Sequence, residues 1–167
     1  MTVQPTTSAL APAAVATRVI AYIIDAIILG ICGLLIVGII ITDATIVGTL
    51  AKAIIYAALG FLYFGYTWTA WKASPGQRIL GLMTVNDADG AALTWNQATM
   101  RWAFLFGPSI LNSLFQLGGS LSSIVNLIVL VYYIYLLYTT ATDPRKQGFH
   151  DKQATSLVIA KTAATAV

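Results

Sequence analysis

The sequence predicts an all-α membrane protein: a four-transmembrane-helix bundle with a short cytoplasmic β-hairpin-like loop between helices 2 and 3 and with both termini cytoplasmic. Three observations lead to this fold class. Hydrophobic residues make up 58% of the 167 residues and charged residues only 9%, whereas a soluble domain has about 25% charged residues. Long stretches of the chain carry no ionisable side chain. Finally, almost all basic residues fall on one side of the helices that these stretches define.

The charge-free stretches set the positions of the spans. No Asp, Glu, Lys, Arg or His occurs in 26–42, 53–71 or 102–142. A helix needs about 20 apolar residues to cross a bilayer, so the third stretch is long enough for two. The Gly- and Ser-rich segment 116–123 inside it favours a turn. We therefore expect spans at 17–42, 48–71, 98–117 and 121–141, the third kinked at Pro108.

The distribution of basic residues predicts the orientation of these spans. With four spans and cytoplasmic termini, only Lys52 faces the outside. The basic residues on the inside are Arg18, Lys72, Arg78, Arg101, Arg145, Lys146, Lys152 and Lys161. Cytoplasmic loops collect Lys and Arg, so we expect this topology, in the cytoplasmic (inner) membrane of a prokaryote.

The parts outside the spans are short. Residues 1–16, rich in Ala, Thr and Pro, are predicted to be a flexible N-terminal tail, 17–160 a transmembrane domain and 161–167 a C-terminal tail.

The loop that follows the second span has strand-forming residues at 78–85 and a turn at 86–90, which favours a hairpin. The segment 156–159 is apolar enough to add a strand to it. Thr94 and Gln97 fit a capping box that opens the third span.

Three motifs occur in a fixed order around the spans. They are Arg18-x6-Asp25, the segment SPGQRILGL at 74–82, and Arg145-x4-His150-Asp151. Together they resemble the RDD family of small integral membrane proteins, which is named for one arginine and two aspartates. The resemblance covers about residues 15–160 and implies that Arg18, Asp25 and Asp151 are the family's three residues. Transport of unidentified ligands has been proposed for this family, and some members are described as sodium/proton antiporters. Gln77 stands where the family usually has a lysine.

Asp25 is the main candidate functional residue. It lies about 12 Å down the first helix at ~1.5 Å per residue, where an ionised aspartate costs roughly 2.5–3.5 kcal/mol. A water bridge to Arg18, or a direct contact with Arg101 or Arg145, is expected to offset this cost. The carboxylate is then either a proton or cation site, or one half of a fixed ion pair. We expect a transport or ion-pair network of Arg18, Asp25 and Asp151, supported by His150, Arg101 and Arg145.

His150 and Asp151 are predicted to lie at the cytoplasmic surface. They are either a pH sensor, since histidine titrates near neutral pH, or a hydrogen-bonded cap that anchors the tail. One histidine and one cysteine give no metal site, and we expect no cofactor. An enzyme is not expected, because no nucleophile stands beside a base and no buried carboxylates are paired.

Two functions remain open from the sequence. The first is transport of a small ion or solute, as monovalent cation/proton exchange through Asp25, by a homo-oligomer. The alternative is a non-catalytic accessory, scaffolding or assembly subunit of a larger membrane complex, bound to unlike membrane subunits. The lipid bilayer is a partner in either case. Nucleic acid is not, because the net charge of +3 comes from scattered ions rather than from a basic patch.

Overall fold

Four long helices dominate the computed structural model, which describes residues 11–38, 45–115 and 122–161. They are α1 (Val15–Gly33, continued by a π-helical turn Leu34–Gly38), α2 (Ile46–Ala70), α4 (Trp95–Phe115) and α5 (Ser122–Thr142). Short elements connect or follow them: α3 (Pro75–Ile79), β1 (Leu82–Asn86), α6 (Phe149–Gln153) and β2 (Ser156–Ala160). Helix α4 packs against both α2 and α5, and α1 packs against α2 and α5.

Three helices in the described ranges are long and apolar enough to cross a membrane. They are Val15–Val37, Val47–Ala70 and Ser122–Thr142. Helix α4 has 21 residues but includes Arg101 and several amides, and it does not belong to this group. The protein is therefore a largely helical membrane protein, while the fourth span and the cytoplasmic position of the termini stay predictions. The predicted span ends 39–42, 116–117 and 121 lie outside the described residues, as does the predicted turn at 116–123 except for its last two residues.

Strand β1 finds its partner far along the chain rather than in a local hairpin. It pairs antiparallel with β2, in a register that sets Leu82 opposite Ala160 and Asn86 opposite Ser156. The predicted hairpin at 78–85 was therefore wrong, whereas the added strand from the tail is confirmed. The physical reason is that Pro75–Ile79 forms helix α3, which leaves only one strand in this loop.

The segment before α1 is part of the fold. Ala13 donates its N–H to the Val158 carbonyl at 2.9 Å and Ala160 donates to the Ala11 carbonyl at 3.2 Å. This corrects the prediction that all of 1–16 is a flexible tail, because residues 11–13 satisfy the free edge of β2 and α1 already begins at Val15. Residues 1–10 and 162–167 lie outside the described part. We call the sheet together with α3 and α6 the sheet end of the bundle.

Helix α4 continues through Pro108, and α5 compensates for the hydrogen bond that this proline removes. A proline lacks the N–H that would bond to the carbonyl four residues earlier, here Phe104. The hydroxyl of Tyr132 donates to that carbonyl at 2.6 Å, and Tyr133 donates to the Leu105 carbonyl at 3.0 Å. In an apolar surrounding such a carbonyl must be satisfied by protein, so these two tyrosines hold α5 against the middle of α4.

Candidate functional site

Asp151 is the centre of a buried ionic cluster at the sheet end. It is the third residue of α6, fully buried, and it accepts the Gly148 N–H at 2.9 Å. Arg18 of α1 donates to its Oδ2 at 2.5 Å, and Arg101 of α4 donates to its Oδ1. Burial alone raises the pKa of a carboxyl, but Arg101 and Arg18 outweigh it and hold the pKa of Asp151 well below its usual range. Asp151 is therefore a permanent anion that ties α1, α4 and α6 together.

Arg101 is the most buried cation of this cluster, 3% exposed. Besides Asp151, it donates to Ser156 Oγ of β2 at 2.7 Å. Its guanidinium carbon lies 5.0 Å from the ring centroid of Trp68, a cation–π contact with α2. Arg101 thus connects α4 to the sheet and to α2 as well as to α6.

His150 is buried, although the sequence predicts that it lies at the cytoplasmic surface. It is 6% exposed, and its Nε2 lies 3.4 Å from Asp151 Oδ1. Burial, helped by Arg101 and Arg18, lowers the pKa of His150 to about 3 although Asp151 opposes the shift. The prediction of a surface histidine was wrong, because α6 turns back under the bundle instead of leaving it. The lowered pKa favours the neutral imidazole near neutral pH, and therefore the cap rather than the pH sensor of the two predicted roles.

Arg145 stands apart from the buried cluster. It is half exposed and forms an ion pair with Asp87, in the loop after β1. Asp87 also accepts from Gln147 Nε2 at 2.9 Å. Exposed pairs of this kind contribute at most about 1 kcal/mol, so Arg145 fastens the segment after α5 to the loop and has no contact with Asp25.

Asp25 has uncharged partners only. It is 1% exposed. Its Oδ1 accepts from the Tyr63 hydroxyl and from the Gly76 N–H, both at 2.7 Å, and its Oδ2 accepts from Ser74 Oγ at 2.5 Å. No arginine in the described ranges contacts it. The expected arginine partner is replaced by three hydrogen-bond donors from α2 and from the start of α3.

The SPGQ segment builds the donors for Asp25. Ser74 caps α3: its N–H donates to Gln77 Oε1 at 3.0 Å, and Pro75 occupies the first turn, where no N–H is needed. Gly76 must lack a side chain, because a Cβ there would lie 2.3 Å from the Ala21 carbonyl oxygen. Gln77, in the place of the family's usual lysine, is buried and donates to Thr84 Oγ1 of β1 at 2.8 Å.

Asp25 and the ionic cluster border the same cavity. Its volume is about 440 Å³, and it lies between α1, α2, α4 and α5, next to the sheet end. Residues that line it include Arg18, Asp25, Ser74, Arg101 and His150, and most of its remaining wall is apolar. The structure thus brings Arg18, Arg101, His150 and Asp151 into direct contact, and sets Asp25 on the same cavity through separate bonds.

Tyr63 and Trp68 are the site residues that sequence reasoning missed. Both lie on α2, in an apolar span where aromatic residues most often pack or lie at the interface. The available signal for Tyr63 was its hydroxyl, which needs a hydrogen-bond partner when buried and which reaches Asp25.

One of three comparisons with known proteins found a match. Searches of curated proteins and of solved structures found no match to this chain. The RDD family model matches residues 12–155, a range that contains the two aspartates and the arginine described above. Because this match covers most of the chain, the protein belongs to the RDD family.

Proposed function

We propose that this protein transports a small ion or solute across the membrane, as an exchange of a monovalent cation for a proton, with Asp25 as the exchanging group. The observation that supports this proposal best is the environment of Asp25. A buried carboxylate paired with arginine is locked in its charged form, as Asp151 is. Asp25 is held only by two hydroxyls and one backbone N–H.

The hydroxyl partners allow Asp25 to change its protonation state without losing its hydrogen bonds. A serine hydroxyl is both donor and acceptor and can rotate. When Asp25 takes up a proton on Oδ2, it becomes the donor and Ser74 Oγ the acceptor. Gly76 N–H and Tyr63 continue to donate to Oδ1. In the ionised state, the same carboxylate and hydroxyl oxygens are ligands of the kind that hard cations prefer.

The cavity supports the same proposal, because an exchange site must be reached from at least one side of the membrane. Asp25 and Ser74 both line the cavity of about 440 Å³. Ionisable residues at membrane depth commonly mark ion or proton pathways. We expect a homo-oligomer, since one chain of this size encloses little space by itself.

Flux in proteoliposomes tests this function. Purified protein is reconstituted with a pH-sensitive dye inside the vesicles, and a sodium or potassium gradient is imposed. Wild type is expected to move protons in the direction opposite to the flow of the cation. Asp25→Asn is expected to lose this flux. Asp89→Asn is the matched control, because Asp89 is an exposed turn residue that accepts the Ala91 N–H at 2.9 Å. Equal flux in Asp25→Asn and wild type overturns the proposal.

The second candidate function, an accessory or assembly subunit of a larger complex, is favoured by one face of α1. It presents a stripe of isoleucines that are each at least half exposed: Ile20, Ile23, Ile27 and Ile31. Such a stripe suits lipid or the helix of an unlike subunit.

Extraction in mild detergent followed by native mass spectrometry separates the two functions. A defined assembly with unlike chains supports the subunit role, and a homo-oligomer or single chain contradicts it.

A further inference from the structure

Arg78 is a surface arginine at the sheet end that has no acidic partner among the described residues. It lies in the last turn of α3 and is exposed. The three other arginines each form an ion pair with an aspartate. In the same described ranges, no oxygen atom accepts a hydrogen bond from the Arg78 guanidinium, which instead contacts the ring of Trp71. The positive charge of Arg78 is therefore available to an anion from outside the protein.

Trp71 holds this guanidinium in place without occupying its N–H groups. The guanidinium carbon of Arg78 lies 4.6 Å from the centroid of the Trp71 ring, a cation–π contact that involves the charge and the ring face. The planar fork of N–H groups stays available, and its geometry matches the oxygens of a phosphate. We call these two residues the Arg78–Trp71 pair; it is ordered in advance for an anion of this shape.

The Arg78–Trp71 pair lies where a membrane meets water. Helix α2 is long and apolar enough to cross a membrane over Val47–Ala70, and Trp71 follows directly as its C-cap. Tryptophan and tyrosine are enriched at the level of the lipid headgroups, and arginine extends its charge to the same level. The pair is therefore at headgroup depth, on the side of the membrane that carries the sheet end.

Exposed apolar surface continues from the pair toward the middle of the membrane. Ile79, next to Arg78 in the chain, is 67% exposed. The ring of Tyr66 packs edge-on against Trp71, with 5.4 Å between the centroids. Leu62 is one turn before Tyr66 on the same face of α2, and both are more than half exposed. A molecule bound to the pair thus finds an apolar strip beside its head.

We propose that the Arg78–Trp71 pair binds the phosphate head of an anionic phospholipid. Its acyl chains lie along the strip of Leu62 and Tyr66 on α2. An anionic head is favoured over a zwitterionic one, because the Arg78 guanidinium has no counter-ion in the described part of the chain and a zwitterionic head brings a second cation. Anionic lipids attract basic residues that follow a span in this way. The apolar strip favours a lipid over a free phosphate.

Binding of this lipid goes beyond the proposed ion exchange and does not depend on it. Asp25 takes its hydrogen bonds from Tyr63, Ser74 and Gly76, none of which belongs to the Arg78–Trp71 pair. A protein that retains the lipid without moving ions leaves this inference intact. One that moves ions without retaining the lipid overturns this inference alone.

Native mass spectrometry of delipidated protein in detergent tests the site. Wild type is expected to retain phosphatidylglycerol at a concentration about tenfold lower than phosphatidylcholine with the same chains, the factor that one charge-assisted hydrogen bond supplies. Arg78→Gln is expected to lose this preference. Arg145→Gln is the matched control, because it removes the same charge from an arginine that is already paired with Asp87, and it is expected to keep the preference.

Two measurements on wild type need no variant. Glycerol 3-phosphate carries the charged head without acyl chains and is expected to leave bound phosphatidylglycerol in place at an equal concentration. Phosphatidylglycerol is expected to slow hydrogen exchange in 72–81 more than phosphatidylcholine does, and to leave 143–148 unchanged.

Four results overturn the proposal. They are equal retention of the two lipids by wild type, an equal preference in Arg78→Gln and Arg145→Gln, displacement of the lipid by glycerol 3-phosphate, and equal hydrogen exchange of 72–81 in both lipids.

Discussion

Arg18 of α1 forms its ion pair with Asp151 of α6, although Asp25 lies two turns further along the same helix. The direction of the side chains explains this choice. Side chains on a helix tilt toward its N-terminus, so Arg18 reaches away from Asp25 and toward the sheet end. The two aspartates of the family motif therefore have separate environments. Asp151 is held as an anion by two arginines, and Asp25 is held by uncharged donors.

Asp151→Asn is expected to destabilise the protein by about 3–5 kcal/mol, because it leaves the buried Arg101 and the partly buried Arg18 without their counter-ion. The measurement is the unfolding free energy or the Tm in a mild detergent. Asp87→Asn is the matched control, since it breaks an ion pair whose arginine is half exposed and is expected to change stability by less than about 1 kcal/mol. Equal Tm values for the two variants contradict the structural role of Asp151.

Gly76→Ala is expected to destabilise the protein by about 1–3 kcal/mol through overpacking. The added Cβ lies 2.3 Å from the Ala21 carbonyl oxygen and 2.9 Å from Asp25 Cγ, so either α3 or α1 has to move. Gly30→Ala on α1 is the control, because its Cβ meets nothing within 4 Å and alanine favours a helix. Thermal unfolding of both variants checks this, and a Gly76→Ala protein as stable as Gly30→Ala shows that the close approach is not required.

Tyr132→Phe is expected to destabilise the contact between α4 and α5 by about 1 kcal/mol, since it leaves the Phe104 carbonyl without a donor. Pro108→Ala returns an N–H to that carbonyl. In the Pro108→Ala background, the loss caused by Tyr132→Phe is therefore expected to shrink. A double-mutant cycle in detergent measures this coupling. If Tyr132→Phe costs as much in the Pro108→Ala background as in wild type, Tyr132 does not compensate for the proline.

The stability of the protein is expected to fall as the pH falls below about 6.5, because of His150. The unfolded chain takes up the histidine proton near pH 6.5, whereas the folded protein resists it until about pH 3. Between these values the unfolded state binds more protons, so stability rises with pH, by up to about 1.4 kcal/mol per unit. His150→Asn removes the only histidine. Its unfolding free energy is expected to show a smaller slope between about pH 5 and 6.5, above the range of ordinary carboxyls. An unchanged slope contradicts the burial of a neutral His150.

Much of the fold could be predicted from local patterns. Charge-free stretches located α2 and α5 to within two residues, and the capping pair Thr94–Gln97 is confirmed by the N–H of Gln97, which donates to Thr94 Oγ1 at 3.2 Å. Such patterns depend on residues that are close in sequence. The family motifs also contain Asp25 and Asp151, which the structure buries.

The partners of those residues could not be predicted, because they come from distant parts of the chain. Asp25 and Ser74 are 49 residues apart, and Arg18 and Asp151 are 133 apart. Sequence spacing shows that Arg18 and Asp25 share a face of α1, but not that α6 turns back beneath that helix. The burial of His150 and the pairing of β1 with β2 follow from the same turn.

The most direct test of Asp25 as the exchanging group is proton release on cation binding. Sodium or potassium is added to the detergent-solubilised protein in a weakly buffered solution, and the pH change is recorded. A cation that binds a carboxylate displaces its proton, so wild type and Asp89→Asn are expected to release up to about one proton per chain. Asp25→Asn is expected to release none. Release that is equal in Asp25→Asn and wild type, or no release from any of them across the pH range of stability, contradicts exchange at Asp25.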